Sequence, residues 1–361
     1  MRILIFTTAF RPLVGGSEIA IEHIAQRLPG VFFDIVTPRY NKKFSLYEQH
    51  KNITVHRVGF GSILDKWLFP ITGAWEGYKL RRFNVYRIIH GYQASYASGA
   101  AWLVKKFNPS LRFIVTLQEG KPLEKGNPAI RLLRSVILKK ADHITVISRY
   151  LGKFAAQFKK PTTLIPNGVA LEIFNSQNSP INPRKRIITV SRLVPKNGVE
   201  NLIRAMALLS LSHDFELVVV GDGELKDKFI QLTRQLNISD NVDFVGSVDH
   251  KEVAKLLSQS DVFVRPSLSE GLGSAFLEAM ACGIPVVGSQ IGGIPDFLTH
   301  GETGLFCDPH KPDDIAQKIE LILSDGLLRD RIIRQGLILV QTNYSWDKIA
   351  ERMNQIYQSM V

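Results

Sequence analysis

An α/β fold of two similar domains, each a parallel sheet with crossover helices, is predicted by three observations. The chain has 361 residues, too many for one ordinary core and enough for two domains of about 100–200 residues each. Short apolar runs bounded by turn residues alternate with helical patterns along the sequence, as in parallel sheets with crossover helices. One local pattern, strand then glycine loop then helix, begins at residue 2 and returns at residue 186. Hydrophobic residues at 45% and charged residues at 22% exclude a disordered, collagen-like or coiled-coil chain. No apolar run approaches the roughly 20 residues of a membrane-spanning helix.

The first strand is expected over Arg2–Thr7, followed by the loop that contains Gly15-Gly16. Apolar residues at 20, 21, 24, 25 and 28 then have the spacing of one helix face. The second start is a strand at Arg186–Val190, a loop over Ser191–Gly198, and a helix turning Leu202, Ile203, Ala205, Met206 and Leu209 inward. Polar, proline-containing Asn175–Pro183 is the linker candidate, so domains are expected over 1–180 and 181–342. Further strands are expected at Arg112–Thr116, His143–Ile147, Glu216–Val220, Val242–Val245, Val262–Val264 and Pro285–Gly288, and His90 closes a strand-like run from Val85 to Ile89. Ligands of such sheets bind at the carboxyl ends of strands. That singles out loops 8–18, 90–98, 117–124, 191–198, 221–224, 246–250 and 266–274.

The charge is uneven. The chain carries 45 Lys+Arg against 33 Asp+Glu, net +12. Residues 1–180 hold 26 basic and 10 acidic side chains, net +16, and residues 181–361 hold 19 and 23, net −4. The first half is built to meet something negative. Two cysteines, Cys282 and Cys307, cannot form a disulfide framework or a cysteine-rich metal site. The start Met1–Phe6 runs straight into Thr7-Thr8 and lacks the features of a signal peptide, so a reducing cytoplasm is expected.

Chemistry concentrates in Arg265–Gly283. Gly271 and Gly273 let the backbone pass close to a ligand. Ser274 is the expected N-cap of a helix running to Cys282, with Gly283 as its stop. A loop entering a helix N-terminus favours a phosphate. Glu270 and Glu278 would be repelled by a diphosphate, which points them at hydroxyls of a sugar and a ribose; the competing reading is a generic turn with two solvated glutamates. In the equivalent loop at the start of that domain, Arg192 and Lys196 could clamp a diphosphate, one as a fork and one as a point charge, or be two exposed cations. Gly221-Asp222-Gly223 is a tight turn beside the same crevice. His90, Tyr92 and Tyr96 could face an acceptor groove or belong to the core.

Taken together these residues resemble the signature of the retaining family-four glycosyltransferases, whose GT-B architecture sets two Rossmann-like domains with parallel sheets facing across a cleft. The resemblance is carried by Glu270 and Glu278 with seven residues between them. It extends through Gly15-Gly16, Ile165-Pro166-Asn167-Gly168-Val169, Ser191-Arg192-Leu193-Val194, Val220-Gly221-Asp222-Gly223, Gly283-Ile284-Pro285-Val286-Val287, Gly292-Gly293-Ile294-Pro295-Asp296 and Tyr344-Ser345-Trp346, nearly the whole chain. It implies an acceptor-binding first domain, a nucleotide-sugar-binding second domain, and a final helix within 343–361 that crosses back to the first domain.

Residue by residue, the resemblance implies that Gly15 and Gly16 let backbone amides approach the donor diphosphate and that Arg192, with Lys196, contacts it. Gly271, Leu272, Gly273 and Ser274 lie over the phosphates, Glu270 orients the donor sugar and Glu278 holds the ribose. The loop after Val245-Gly246 borders the base. His90, Gln118 and Glu119 are the acceptor-side candidates. There are three departures. Family members usually place a lysine where this chain has Asn197, with Lys196 one position earlier. Many place a histidine where this chain has Gln118-Glu119; glutamine cannot accept a proton, so Glu119 or the donor phosphate is left as base. Ala170 stands where an aspartate is common.

The implied activity is a retaining, metal-independent hexosyl transfer without a cofactor. The donor would be a UDP- or GDP-linked sugar, and the acceptor a glycan or lipid-linked molecule at the cytoplasmic membrane face. Basic and apolar residues interleave at Lys66–Phe69, Lys79–Phe83 and Arg131–Lys140, as in helices that lie on an anionic bilayer. A soluble protein with a charged surface is the competing reading. No nucleic-acid signature accompanies the charge, and Gly271-Leu272-Gly273-Ser274-Ala275-Phe276 ends in phenylalanine where a dinucleotide fingerprint needs glycine. A nucleotide-sugar epimerase or hydrolase on the same fold, or a catalytically degenerate homologue, is the alternative.

Overall fold

The computed structural model describes every residue except 14, 121–122, 124–126, 176–183 and 210–213. The chain forms two compact units. Unit 1 is Met1–Asn167 with Trp346–Val361, and unit 2 is Gly168–Ser345. The 180/181 boundary and most of the linker read from the sequence lie outside the described residues.

In unit 1 the strands are β1 (Arg2–Phe6), β2 (Phe32–Pro38), β3 (Tyr47–His50), β4 (Ile53–Val58), β5 (Ile88–Tyr92), β6 (Arg112–Leu117), β7 (His143–Val146) and β8 (Thr162–Leu164). They form one sheet in the order β3-β4-β2-β1-β5-β6-β7-β8, parallel except for the β3–β4 pair. The helices are α1 (Gly16–Gln26), α2 (Asp65–Phe83), α3 (Tyr96–Phe107), α4 (Pro128–Lys140) and α5 (Arg149–Ala156). The central strands are buried on both faces, as a sheet covered by helices requires, whereas edge strand β3 is polar and exposed and β4 alternates. β1 and β5 are buried almost throughout.

In unit 2, β9 (Lys185–Val190), β10 (Phe215–Val220), β11 (Val242–Gly246), β12 (Val262–Arg265), β13 (Val286–Ser289) and β14 (Leu305–Cys307) make an all-parallel sheet in the order β11-β10-β9-β12-β13-β14. Helices α6 (Val199–Leu209), α7 (Lys226–Gln235), α8 (His250–Ser258), α9 (Ser274–Ala281), α10 (Pro312–Ser324) and α11 (Gly326–Asn343) connect the strands or pack on them. Leu202, Ile203, Ala205, Met206 and Leu209 of α6 are all buried in the core with Ile187, Leu217, Val262 and Val287. The last helix, α12 (Trp346–Ser359), belongs to unit 1. It is held there by an Arg27–Asp347 ion pair at 2.7 Å, by Arg352 donating to the Leu164 carbonyl at 2.5 Å, and by fully buried Tyr357.

Two local expectations shift. β5 starts at Ile88, three residues into the apolar run, because Val85 is exposed and Tyr86 turns inward to donate to Asp34 at 2.7 Å. α9 is capped by Gly273, not by Ser274. The cap needs a left-handed φ of +103°, which glycine takes without strain, and Ser274 becomes the first helical residue.

Candidate functional site

Both sheets have a topological switch point, where consecutive connections leave in opposite directions and the strand ends part to form a crevice. In unit 2 it lies between β9 and β12, and in unit 1 between β1 and β5.

In unit 2 the loops after β9 and β12 are bonded to each other. The Lys196 carbonyl accepts from the Leu268 amide at 2.7 Å and the Ser269 amide at 3.3 Å. Gly198, with φ +68°, permits this approach: a Cβ there would lie 1.8 Å from the Pro266 carbonyl oxygen. The turn after β10 stacks on the same loop, since a Cβ on Gly221 would lie 2.0 Å from the Ser191 carbonyl oxygen. Asn197, where a lysine was expected, is buried and donates from Nδ2 to the Arg192 carbonyl at 2.6 Å. It ties the loop to itself. The Arg192 side chain is exposed, and nothing among the described residues bonds its guanidinium.

Glu270 is held from three sides. Arg265 at the end of β12 donates to Oε2 at 2.7 Å, the Gly271 amide donates to Oε1 at 3.0 Å, and the Gly293 amide donates to the Glu270 carbonyl at 3.3 Å. Arg265 was not singled out from the sequence. It is buried, stacks on the Phe276 ring at 4.9 Å and donates to the Val190 carbonyl at 3.2 Å. Its signal was an arginine ending an apolar strand, which needs a partner once buried. Glu278, in the second turn of α9, has no side-chain hydrogen bond among the described residues, and burial pushes its carboxyl up to about 7 against the pull of Arg265. The amides of Leu272, Gly273, Ser274 and Ala275 likewise have no acceptor among the described residues. The buried hydroxyls of Ser191 and Ser267, just past β9 and β12, are unpartnered as well. So many unmet polar groups on one crevice call for a ligand or water.

In unit 1 the glycine loop opens α1 with Gly15 as N-cap and Gly16 as first residue. Glu18 folds back onto this start, as in a capping box. Its carboxylate accepts from Ser17 Oγ at 2.9 Å and from Gly15 backbone, and burial raises its pKa. A Cβ on Gly15 would lie 2.7 Å from Glu18 Oε2. The spacing Gly15-x-x-Glu18 carried that signal. Gln118 donates to Asn167 Oδ1 at 3.1 Å, and a Cβ on Gly16 would lie 3.5 Å from Asn167 Nδ2, so Gly16, Asn167 and Gln118 share one end of the sheet.

Two acceptor-side residues differ from expectation. Glu119 does not project a free carboxylate. Oε1 accepts the Ala94 amide at 2.7 Å and Oε2 the Gln118 amide at 2.9 Å, and burial raises its pKa. It braces the loops after β5 and β6. His90 is not at a strand end. It pairs with Ile5 and Ile114 inside the sheet and is 0% exposed. Nδ1 meets Tyr357 Oη at 2.9 Å and Nε2 meets Thr116 Oγ1 at 2.6 Å, and burial holds its pKa down to about 3. It is a neutral core histidine. Tyr92 is core too, whereas Tyr96 is partly exposed and meets Trp67 edge-on at 5.2 Å.

Among the described residues, no three His, Cys, Asp or Glu side chains converge as metal ligands, and no helix is long and apolar enough to cross a membrane.

Comparison with known proteins covers nearly the whole chain. Residues 14–173 match the family model described as Glycosyltransferase Family 4, and residues 172–338 the model described as Glycosyl transferases group 1. An uncharacterized glycosyltransferase of Methanocaldococcus jannaschii is 38% identical over 48% of this chain and 45% of its own length. A GDP-mannose-dependent monoacylated alpha-(1-6)-phosphatidylinositol monomannoside mannosyltransferase of Corynebacterium glutamicum is 30% identical over 60% of this chain and 62% of its own. These two matches therefore span about half to two thirds of those relatives. Among solved structures, sucrose-phosphate synthase from Thermosynechococcus elongatus superposes with a TM-score of 0.86 at 23% identity, over 99% of this chain and 98% of that one. The fold is that of the GT-B enzymes, with two Rossmann-like α/β units.

Proposed function

This chain belongs to the family-four, group 1 glycosyltransferases, and we propose that it moves a sugar from a nucleoside-diphosphate donor held by unit 2 to a glycan or lipid-linked acceptor taken by unit 1. One observation carries the reading: on loops bonded to each other and the helix that follows, the unit 2 switch point gathers the Arg192 guanidinium and the Leu272–Ala275 amides, all without partners among the described residues, with the carboxylates of Glu270 and Glu278. The diphosphate lies against Arg192 and the α9 N-terminus, where fixed positive charge stabilises it as it departs. Glu270, oriented by Arg265, takes hydroxyls of the donor sugar, and Glu278 takes those of the ribose. Lys196 supports the loop through its carbonyl.

Transfer proceeds with retention. The acceptor hydroxyl forms its bond to the anomeric carbon on the face from which the diphosphate leaves, the anomeric C–O bond to phosphate breaks, and the hydroxyl proton passes to a phosphate oxygen. This route needs no protein base, which suits a chain whose Glu119 is engaged with backbone amides and whose Gln118 cannot accept a proton. Arg192 and the α9 amides supply the positive charge that a metal would otherwise supply. The activity named for the Corynebacterium relative, a phosphatidylinositol monomannoside mannosyltransferase, and the net charge of +16 on residues 1–180 support a lipid-linked acceptor at an anionic, cytoplasmic membrane face.

The test is a thermal-shift screen against UDP-, GDP- and ADP-sugars, then turnover with and without acceptor, with Glu270→Gln as control. Stabilisation by a nucleotide-sugar and acceptor-dependent turnover lost in the control are expected. If no nucleotide shifts the melting temperature, the donor site is misassigned. Nucleotide release that ignores acceptor would favour a hydrolase.

A further inference from the structure

Helix α2 has apolar residues on both faces, and only one of them is buried by the fold. Phe69, Gly73, Gly77 and Leu80 are buried. Glycine lets the helix sit close to the sheet: a Cβ on Gly77 would lie 2.8 Å from Phe6 Cζ. The opposite face presents Leu64, Trp67, Leu68, Ile71, Trp75 and Tyr78, which recur at three- and four-residue steps and form one stripe. All six are exposed, Trp67 at 61%, Ile71 at 71% and Trp75 at 74%. Phe60 and Ile63 continue the stripe beyond the helix start and are more than 70% exposed. Beside it, a groove of about 600 Å³ runs between Ile71 and Trp75 of α2 and Leu46 and Tyr47 at the sheet edge. A contiguous apolar surface of this kind marks an interaction site.

The charges around the stripe choose its occupant. Lys66, Lys79, Arg81 and Arg82 lie on α2. The acidic groups are answered within the protein. Asp65 accepts the amides of Phe60, Gly61 and Ser62, and Glu76 faces Lys79 at 3.6 Å and His56 at 3.8 Å. A second copy of the chain would set lysine and arginine against their own kind. A membrane with anionic headgroups would neutralise them while taking up the apolar stripe, and tryptophans favour that interfacial depth.

We propose that the α2 stripe, extended by Phe60 and Ile63, inserts into the headgroup–acyl boundary of an anionic bilayer and lies in its plane. This deepens the membrane part of the proposed function and does not depend on the donor site. The experiment is co-sedimentation of the full chain with phosphatidylcholine vesicles, with and without phosphatidylglycerol. It is joined by quenching of tryptophan fluorescence by lipids brominated near the headgroup. Expected are binding that requires the anionic lipid and weakens with salt, quenching of Trp67 and Trp75, and loss of at least about tenfold in partitioning for Trp67→Ala/Trp75→Ala. Lys79→Glu/Arg82→Glu should weaken binding without changing the apolar surface, and circular dichroism melting confirms that each variant folds. No binding to anionic vesicles, or binding that neither pair of substitutions weakens, overturns the proposal. So does a lipid-free dimer in sedimentation equilibrium that Trp67→Ala/Trp75→Ala dissolves, since the occupant is then a second copy. A nucleotide thermal shift is read separately, so failure of the donor site and failure of the membrane face give different results.

Discussion

The two units start a helix beside their switch points in the same way, with a glycine N-cap, and then treat its amides differently. In unit 1, Glu18 folds back on the start of α1, and Glu119 takes two more backbone amides nearby. In unit 2 the start of α9 carries no side-chain cap and no acidic residue in its first turn, and its amides have no acceptor among the described residues. The carboxylates there are placed otherwise: Glu270 is aimed by an arginine, and the Glu278 side chain has no hydrogen bond among the described residues. The same local fold is closed by its own side chains in one unit and left open in the other. An open helix start attracts an anion, and a closed one shapes a loop.

The sharpest break of that contrast is at Arg265. Replacement by Met leaves the poorly solvated Glu270 carboxylate unpaired and should lower stability by about 3–5 kcal/mol in denaturant unfolding. Adding Glu270→Gln to it should restore most of the stability but none of the turnover, which separates holding Glu270 from using it. Glu270→Gln alone should reduce turnover about 10²–10³-fold. The matched test in unit 1 is Glu119→Gln. One backbone amide would then face an NH₂ group, so stability should drop by about 1–3 kcal/mol while turnover per folded molecule stays within a few-fold. A loss of turnover as deep as that of Glu270→Gln would make Glu119 the base after all.

Smaller effects test the open side. Arg192→Ala should weaken nucleotide diphosphate binding by about 1.5–3 kcal/mol in calorimetry and leave stability within about 0.5 kcal/mol. An equal loss for the nucleoside alone would place Arg192 off the diphosphate. Glu278, with its carboxyl raised to about 7, makes the weakest but most specific prediction. It binds more protons folded than unfolded, so its contribution lowers stability as pH rises from the ordinary carboxylate range to about 7. Ribose hydroxyls donate to the ionised form, so nucleotide affinity should rise as pH passes through about 7, and Glu278→Gln should flatten that rise.

Much of this was written in the sequence, because periodicity reports which side of an element meets the core. The inward residues of α6, the central strands β1, β6, β7, β9, β10 and β12 and the glycine loops could be read from spacing alone, whereas Glu270 and Glu278 stood out only through the family resemblance. What spacing could not show was which polar groups the fold would satisfy. His90 looked like a strand-end ligand, yet its strand begins at Ile88 and seats it between β1 and β6 against Tyr357, 267 residues away in sequence. Glu119, one of two candidates for the base beside the donor phosphate, accepts two backbone amides and braces the loops. Arg265 was passed over and aims a site residue. α2, with apolar residues on both faces, had no periodic contrast to show which face was buried; the close approach of Gly77 to Phe6 and Leu4 settled that. The alternation of strands and helices along the chain and the helix period follow from local chain chemistry, which sequence alone determines. Whether a buried charge or amide has a partner depends on residues distant in the chain and close in space, and that only the tertiary structure decided.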